Sequence, residues 1–183
     1  GIAAALRSVT TMRALLALCL ATLPARGSSA QPLLDPSTVL ETGVEIAATA
    51  LANALVASRD AAWEQGTQPI PPQIREALLH WYPADLLDSV EYRIGAAEDA
   101  SLQSLSMRYS DATAVTVIDT IIFDDARDAQ NNVALWGHEM KHVEQFRNWG
   151  LMKFARRYVR DHEAVEREAY AIGAEIKAVY GGG

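Results

Sequence analysis

The sequence predicts an α+β domain, mainly α-helical, with a small sheet beside one histidine-bearing helix. Three observations predict it. Apolar residues recur at helical spacing over long stretches, first at Val44, Ala48, Leu51 and Leu55 and later at Val165, Ala169, Ile172 and Ile176. Only two short stretches, 90–94 and 114–123, are rich in β-branched and aromatic residues. The second of these leads into a helix-compatible segment that contains His138-Glu139-Met140-Lys141-His142.

The first thirty residues read as a targeting segment. Met12 and Arg13 precede an apolar run, 14–23, and the small-residue ending Ser28-Ser29-Ala30 has the form of a signal-peptide cleavage site. The run is short for a bilayer span, and Leu18 stands where a lipid attachment at Cys19 calls for a small residue. Residues 1–30 are therefore expected to be upstream residues plus a signal peptide starting at Met12. Residues 31–183 are expected to form a single domain, exported to the bacterial periplasm or exterior. Cys19, the single cysteine, leaves with the signal, so the domain relies on packing and metal rather than disulfides.

All 23 acidic residues lie beyond residue 30. Of the 16 Lys and Arg, three (Arg7, Arg13 and Arg26) precede it, leaving 13 against 23, a balance of −10. Such a surface argues against general nucleic-acid binding. One basic run departs from it: Arg147, Lys153, Arg156, Arg157 and Arg160, with no acid among them. It reads first as a solvated helix face and second as a contact for an acidic partner or a membrane surface.

In chain order, residues 37–64 form an Ala-rich core-covering helix with Ser37 or Thr38 as cap, Glu41 completing a capping box if Thr38 serves. Residues 66–72 are a Pro/Gly loop, 74–81 a short helix, and Pro83 opens a turn through Leu87. His80, beside Trp81, reads as a packed or partly exposed side chain rather than a ligand. A strand at 90–94 is succeeded by a polar, Ser-rich loop over 95–111. One strand covers 114–123 and ends at Asp124-Asp125; it reads equally as an edge that would accept an extended peptide and as a small sheet that simply covers the core. The motif helix spans 128–149, capped by Asp125 or Asp128 and stopped by Gly150. A short helix over 151–158 and a last helix over 161–180 complete the chain, and Gly181 to Gly183 fray.

The chemistry centres on the motif. Positions i and i+4 share a helix face, so His138 and His142 aim two imidazoles at one point, where Zn2+ accepts nitrogen ligands. Glu139 is placed to take a proton from a water held there. Leu135, Phe146 and Trp149 share the histidines' side and back the site with apolar packing. A catalytic zinc takes three protein ligands. The metzincin continuation is excluded, because Gln145 and Asn148 stand at its Gly and His offsets. A glutamate from the last helix is the remaining solution. Glu163 points away from the apolar stripe, whereas Glu166 and Glu168 flank it, and periodicity does not separate those two. His162 is a further candidate.

The run His138-Glu-Met-Lys-His-Val-Glu-Gln145, preceded by the Ile-rich strand ending at Phe123, resembles a bacterial HExxH metallopeptidase domain of unknown function. That domain is the core domain type associated with extracellular contractile injection systems, and the resemblance covers roughly 72–146. Glu166-Arg167-Glu168-Ala169 is similar to the Glu-x-x-Ala of minigluzincins, whose first Glu is the third ligand. The resemblance thus implies a minigluzincin-like fold and selects Glu166, although Tyr170 replaces the Asp that often comes after the Ala. The expected function is a secreted or periplasmic zinc metallopeptidase acting on a peptide or protein. Its ligands would be His138, His142 and Glu166 and its base Glu139, with Tyr158, His162, Arg167 and Tyr170 as oxyanion or supporting candidates. The alternative is a non-catalytic, zinc-stabilised binding or cargo module of a secretion or injection system.

Overall fold

The computed structural model describes residues 35–95 and 113–181. The expected signal peptide, almost all of the 95–111 loop and the last two glycines lie outside them. The chain divides into two units, Gly1–Asp35 and Pro36–Gly183, and all the described helices and strands belong to the second.

Helix α1, Pro36–Glu64, turns Ala48, Leu51, Ala52, Leu55, Ser58 and Ala62 inward, as the periodicity requires. The expected capping box does not form. Pro36, whose ring presets a helical φ and lacks an N–H, moves the start upstream. Thr38 then lies inside the helix, where its carbonyl accepts from Thr42 Oγ1 at 2.8 Å. The expected 66–72 loop contains a two-residue strand, β1 (Gln68–Pro69). It pairs antiparallel with β2 (Glu91–Ile94), and an edge position tolerates Pro69. Between them lie α2 (Pro72–Leu78), shorter than the expected 74–81 helix at its end, and α3 (Ala84–Leu87).

The expected single strand over 114–123 is a hairpin, β3 (Ala114–Val117) and β4 (Thr120–Phe123), joined by Ile118-Asp119. Ile118 has φ 65°, a left-handed conformation costing a β-branched residue about 1–2 kcal/mol. No Asn-Gly or similar pair announces the turn. It is held from elsewhere in the chain: Arg59 of α1 donates to Asp119 through Nε at 2.6 Å and Nη2 at 2.8 Å. Trp63 Nε1 donates to Thr120 Oγ1 at 2.8 Å. The sheet order is β1-β2-β4-β3, with β2 and β4 parallel. Every residue of the interior strand β4 is buried.

The motif helix is also divided. Asp125 caps α4 (Ala126–Asn131) by accepting from Asp128 N at 2.9 Å. Asn132 breaks the helix at ψ 79° and caps α5 (Val133–Trp149) by accepting from Leu135 N at 3.0 Å. An asparagine side chain competes with helical backbone bonds in this way. Gly150, at φ 78°, ends α5 as expected. Helix α6 (Leu151–Tyr180) carries the expected interruption at Asp161 (φ −156°, ψ 79°), whose Oδ1 accepts from Ala164 N at 3.0 Å.

Two apolar clusters cover the two sheet faces. Ala114, Ile121 and Phe123 join Trp136 and Met140 of α5 with Leu78, Leu86 and Leu87. Val117 and Ile122 join Leu51 and Leu55 of α1 with Phe146, Phe154 and Tyr158. The alternation of facing along β3 and β4 assigns the residues to the two sides. Helix α5 contributes to both clusters, and so stands fixed against β3.

Candidate metal centre

His138 and His142 project from one face of α5, and Glu166 comes from the second half of α6. Gly137 lets those helices approach. A Cβ there would lie 2.0 Å from Ile176 Cδ1, whereas one on Gly173 would meet the Ala134 carbonyl oxygen and His138 Cβ at an ordinary 3.5 Å. Tyr82 Oη donates to the Gly137 carbonyl at 2.7 Å, tying the loop after α2 to the turn that bears His138.

Glu166 Oε2 lies 3.3 Å from His138 Nε2 and 3.3 Å from His142 Nε2. The three ligand atoms fall within 4.8 Å of one another. Ligands about 2.0–2.1 Å from a tetrahedral centre are separated by roughly 3.3 Å, which the two Glu166 separations match, so the group could hold a metal ion. His142 and Glu166 are buried and His138 is partly so. Burial pushes the Glu166 carboxyl up, but hydrogen bonds from both histidines, and then their charges, outweigh it and hold it at about 2. Burial likewise pushes His142 down. The hydrogen bond to Glu166, the charges of Glu139 and Glu166 and the bond to Gln145 reverse this and carry it above its usual value.

Around the ligands stand residues that the sequence did not mark. Gln145 Oε1 lies 2.9 Å from His142 Nδ1, while its Nε2 donates to the Val165 carbonyl at 3.0 Å and to Glu168 Oε2 at 3.1 Å. Glu139 is buried, and Thr116 Oγ1 of β3 lies 2.7 Å from its Oε2 and 3.1 Å from its main-chain oxygen. The family spacing His-x-x-Gln was the available signal for Gln145. Nothing local pointed to Thr116, which comes from another element.

The other candidates separate clearly. Glu163 is exposed, and Glu168 supports Gln145 rather than joining the ligand group. Tyr170 sets its ring edge-on to His138, with centroids 4.7 Å apart. Tyr158 is buried in an aromatic row with Phe154, which meets His142 at 6.3 Å. His162 lies 5.9 Å from Tyr158, on the exposed side of α6. Arg167 is exposed and makes no hydrogen bond or ion pair among the described residues. His80 is exposed and stacks edge-on against Trp81 at 4.8 Å, away from the ligand group. Three of the five basic-run charges are paired within the chain: Arg147 with Asp85, Arg156 with Glu45 and Arg160 with Glu41. Arg157 lies over the Trp149 ring at 4.1 Å.

Residues 69–150 match the eCIS core domain. The match runs from β1 to the stop of α5, so the matched segment includes His138, Glu139, His142, Gln145 and Thr116. Glu166 lies beyond it, on α6. No curated protein and no solved structure matches the chain.

Proposed function

We propose that this chain is an exported zinc-dependent metallopeptidase that works within an extracellular contractile injection system. The observation that supports it most is the placement of Glu139 beside a convergent two-histidine, one-glutamate group. A purely structural zinc site has no use for a buried carboxylate held next to its ligands. The eCIS core match supports the system in which it acts.

His138, His142 and Glu166 would hold the ion. Bound zinc supplies Lewis acidity and lowers the pKa of water toward ~7. The chain does the rest. Thr116 fixes Glu139 Oε2, which leaves Oε1 to take a proton from the attacking water and pass it to the leaving amine. Hairpin register turns the main-chain groups of Val115 and Val117 toward β4 and those of Ala114 and Thr116 toward the sheet margin. An extended peptide paired there lies beside Glu139, because Thr116 belongs to both features.

The test is Glu139→Gln in the full chain, with zinc content and hydrolysis of an unfolded protein substrate measured on the same samples. One zinc per chain, with hydrolysis lost only in the variant, is the expected result. Zinc without hydrolysis in either form transfers the reading to a zinc-stabilised cargo or binding module of such a system.

A further inference from the structure

We infer that Gln145 is a positioning residue of this centre. Its one amide holds a proton on His142 Nδ1 and ties the Glu166 turn of α6 to α5. The inference rests on the metal-site reading of His138, His142 and Glu166 and adds what orients it.

The contacts of Gln145 fix the direction of its amide. A main-chain carbonyl (Val165) and a carboxylate (Glu168) can only accept, so the nitrogen of Gln145 faces both. The oxygen therefore faces His142 Nδ1, and it too can only accept. Nδ1 must carry a proton. A metal bound beside Glu166 would then take the Nε2 position, which faces that carboxylate at 3.3 Å. Flipping the amide would set its oxygen against two acceptors at once.

The same amide reaches the other ligand. Val165 is the residue before Glu166, so the bond to its carbonyl holds the peptide from which Glu166 extends. Gln145 is only 2% exposed, which keeps water from replacing these bonds. Among the described residues no hydrogen bond of this kind reaches His138 Nδ1, so the two histidines are not equivalent.

The experiment uses the full chain, with Zn2+ affinity measured by competition with a chromophoric chelator and the His142 Nδ1–H group read from 15N imidazole spectra of the metal-free protein. Gln145→Leu should weaken zinc binding ~10–100-fold. It should also strip His142 Nδ1 of its proton, since the bond from Nε2 to Glu166 is then the only one left. Gln145→Glu keeps an acceptor at Nδ1 and should preserve that proton, but its other oxygen faces the Val165 carbonyl and the Glu168 carboxylate, so its zinc affinity should stay below that of the parent. A merely structural role would not move the Nδ1 proton. Gln145→Leu with affinity within about twofold of the parent and an unchanged Nδ1–H signal overturns the inference. If that variant does not fold, loss of the Nδ1–H signal in Gln145→Glu does the same. Absence of zinc binding by the parent sinks the metal-site reading, while the Nδ1–H signal, which needs no metal, still decides the role of Gln145.

Discussion

Glu166 Oε2 lies 3.3 Å from His142 Nε2, an approach that joins the second half of α6 to the middle of α5. The same oxygen is equally far from His138 Nε2, so one carboxylate closes a three-ligand group built on two helices. Replacing it should open the group without disturbing its neighbours. Glu166→Gln is expected to weaken zinc binding by at least ~100-fold, about 2.7 kcal/mol, whereas Glu163→Gln should leave it unchanged. Isothermal titration of both variants checks this; equal zinc binding in parent and Glu166→Gln would remove Glu166 from the ligand set.

The metal-free and zinc-loaded proteins should respond to pH in opposite directions. His142 has a raised pKa in the fold, so its contribution to stability is fully present below its usual 6.5 and is lost as pH rises through the higher folded value. Glu166, held at about 2, contributes above its usual 4.5 and loses that contribution as pH falls toward 2. The pair thus stabilises the metal-free protein most between those two usual values. Zinc binding needs neutral imidazoles and gains as pH rises. Thermal melts with and without zinc should therefore diverge above pH 6.5, and parallel curves would argue against the His142–Glu166 coupling.

Thr116 offers a test of how the base is oriented. Thr116→Val keeps the shape and removes the hydroxyl beside Glu139 Oε2. Expected are a kcat about tenfold lower and a nearly unchanged KM. Thr116→Ser should restore both. A raised KM with an unchanged kcat would give Thr116 a role in substrate pairing alone.

Gly137 sets the distance between the two ligand-bearing helices. A methyl there meets Ile176, which is fully buried and has little room to retreat. Gly137→Ala should cost about 1–3 kcal/mol by overpacking and weaken zinc binding as Glu166 is pushed back. Adding Ile176→Val removes the clashing Cδ1 and should recover much of the loss. Chemical denaturation of the single and double variants would show that coupling, and strictly additive effects would refute it.

The Ile118-Asp119 turn depends on α1. Asp119→Ala removes the two bonds from Arg59 that hold a left-handed isoleucine in place. These groups are partly exposed, so the expected loss is only about 1–2 kcal/mol. The hairpin amides should lose hydrogen-exchange protection before α5 does. Uniform loss across the domain would mean that the turn is not held locally.

The sequence by itself determined the long helices, the stop of α5 and two of the three candidate ligands. Val44, Ala48, Leu51 and Leu55 place α1, Gly150 ends α5, and Asp161 begins the last helical segment, because periodicity and capping are local properties. The pairing of His138 with His142 comes from the rise of one helix. Glu166 could not be separated from Glu168 by spacing, and resemblance made that choice. Tertiary structure decided what depends on partners far along the chain. The hairpin turn rests on Arg59, the orientation of Glu139 on Thr116 and the Nδ1 proton of His142 on an amide also bonded to α6. The charges of Arg156 and Arg160, which the sequence offers first to solvent and second to an outside partner, pair with Glu45 and Glu41 of α1. A helix repeat is written within a few residues, but a hydrogen bond between distant elements exists only once packing has brought them together.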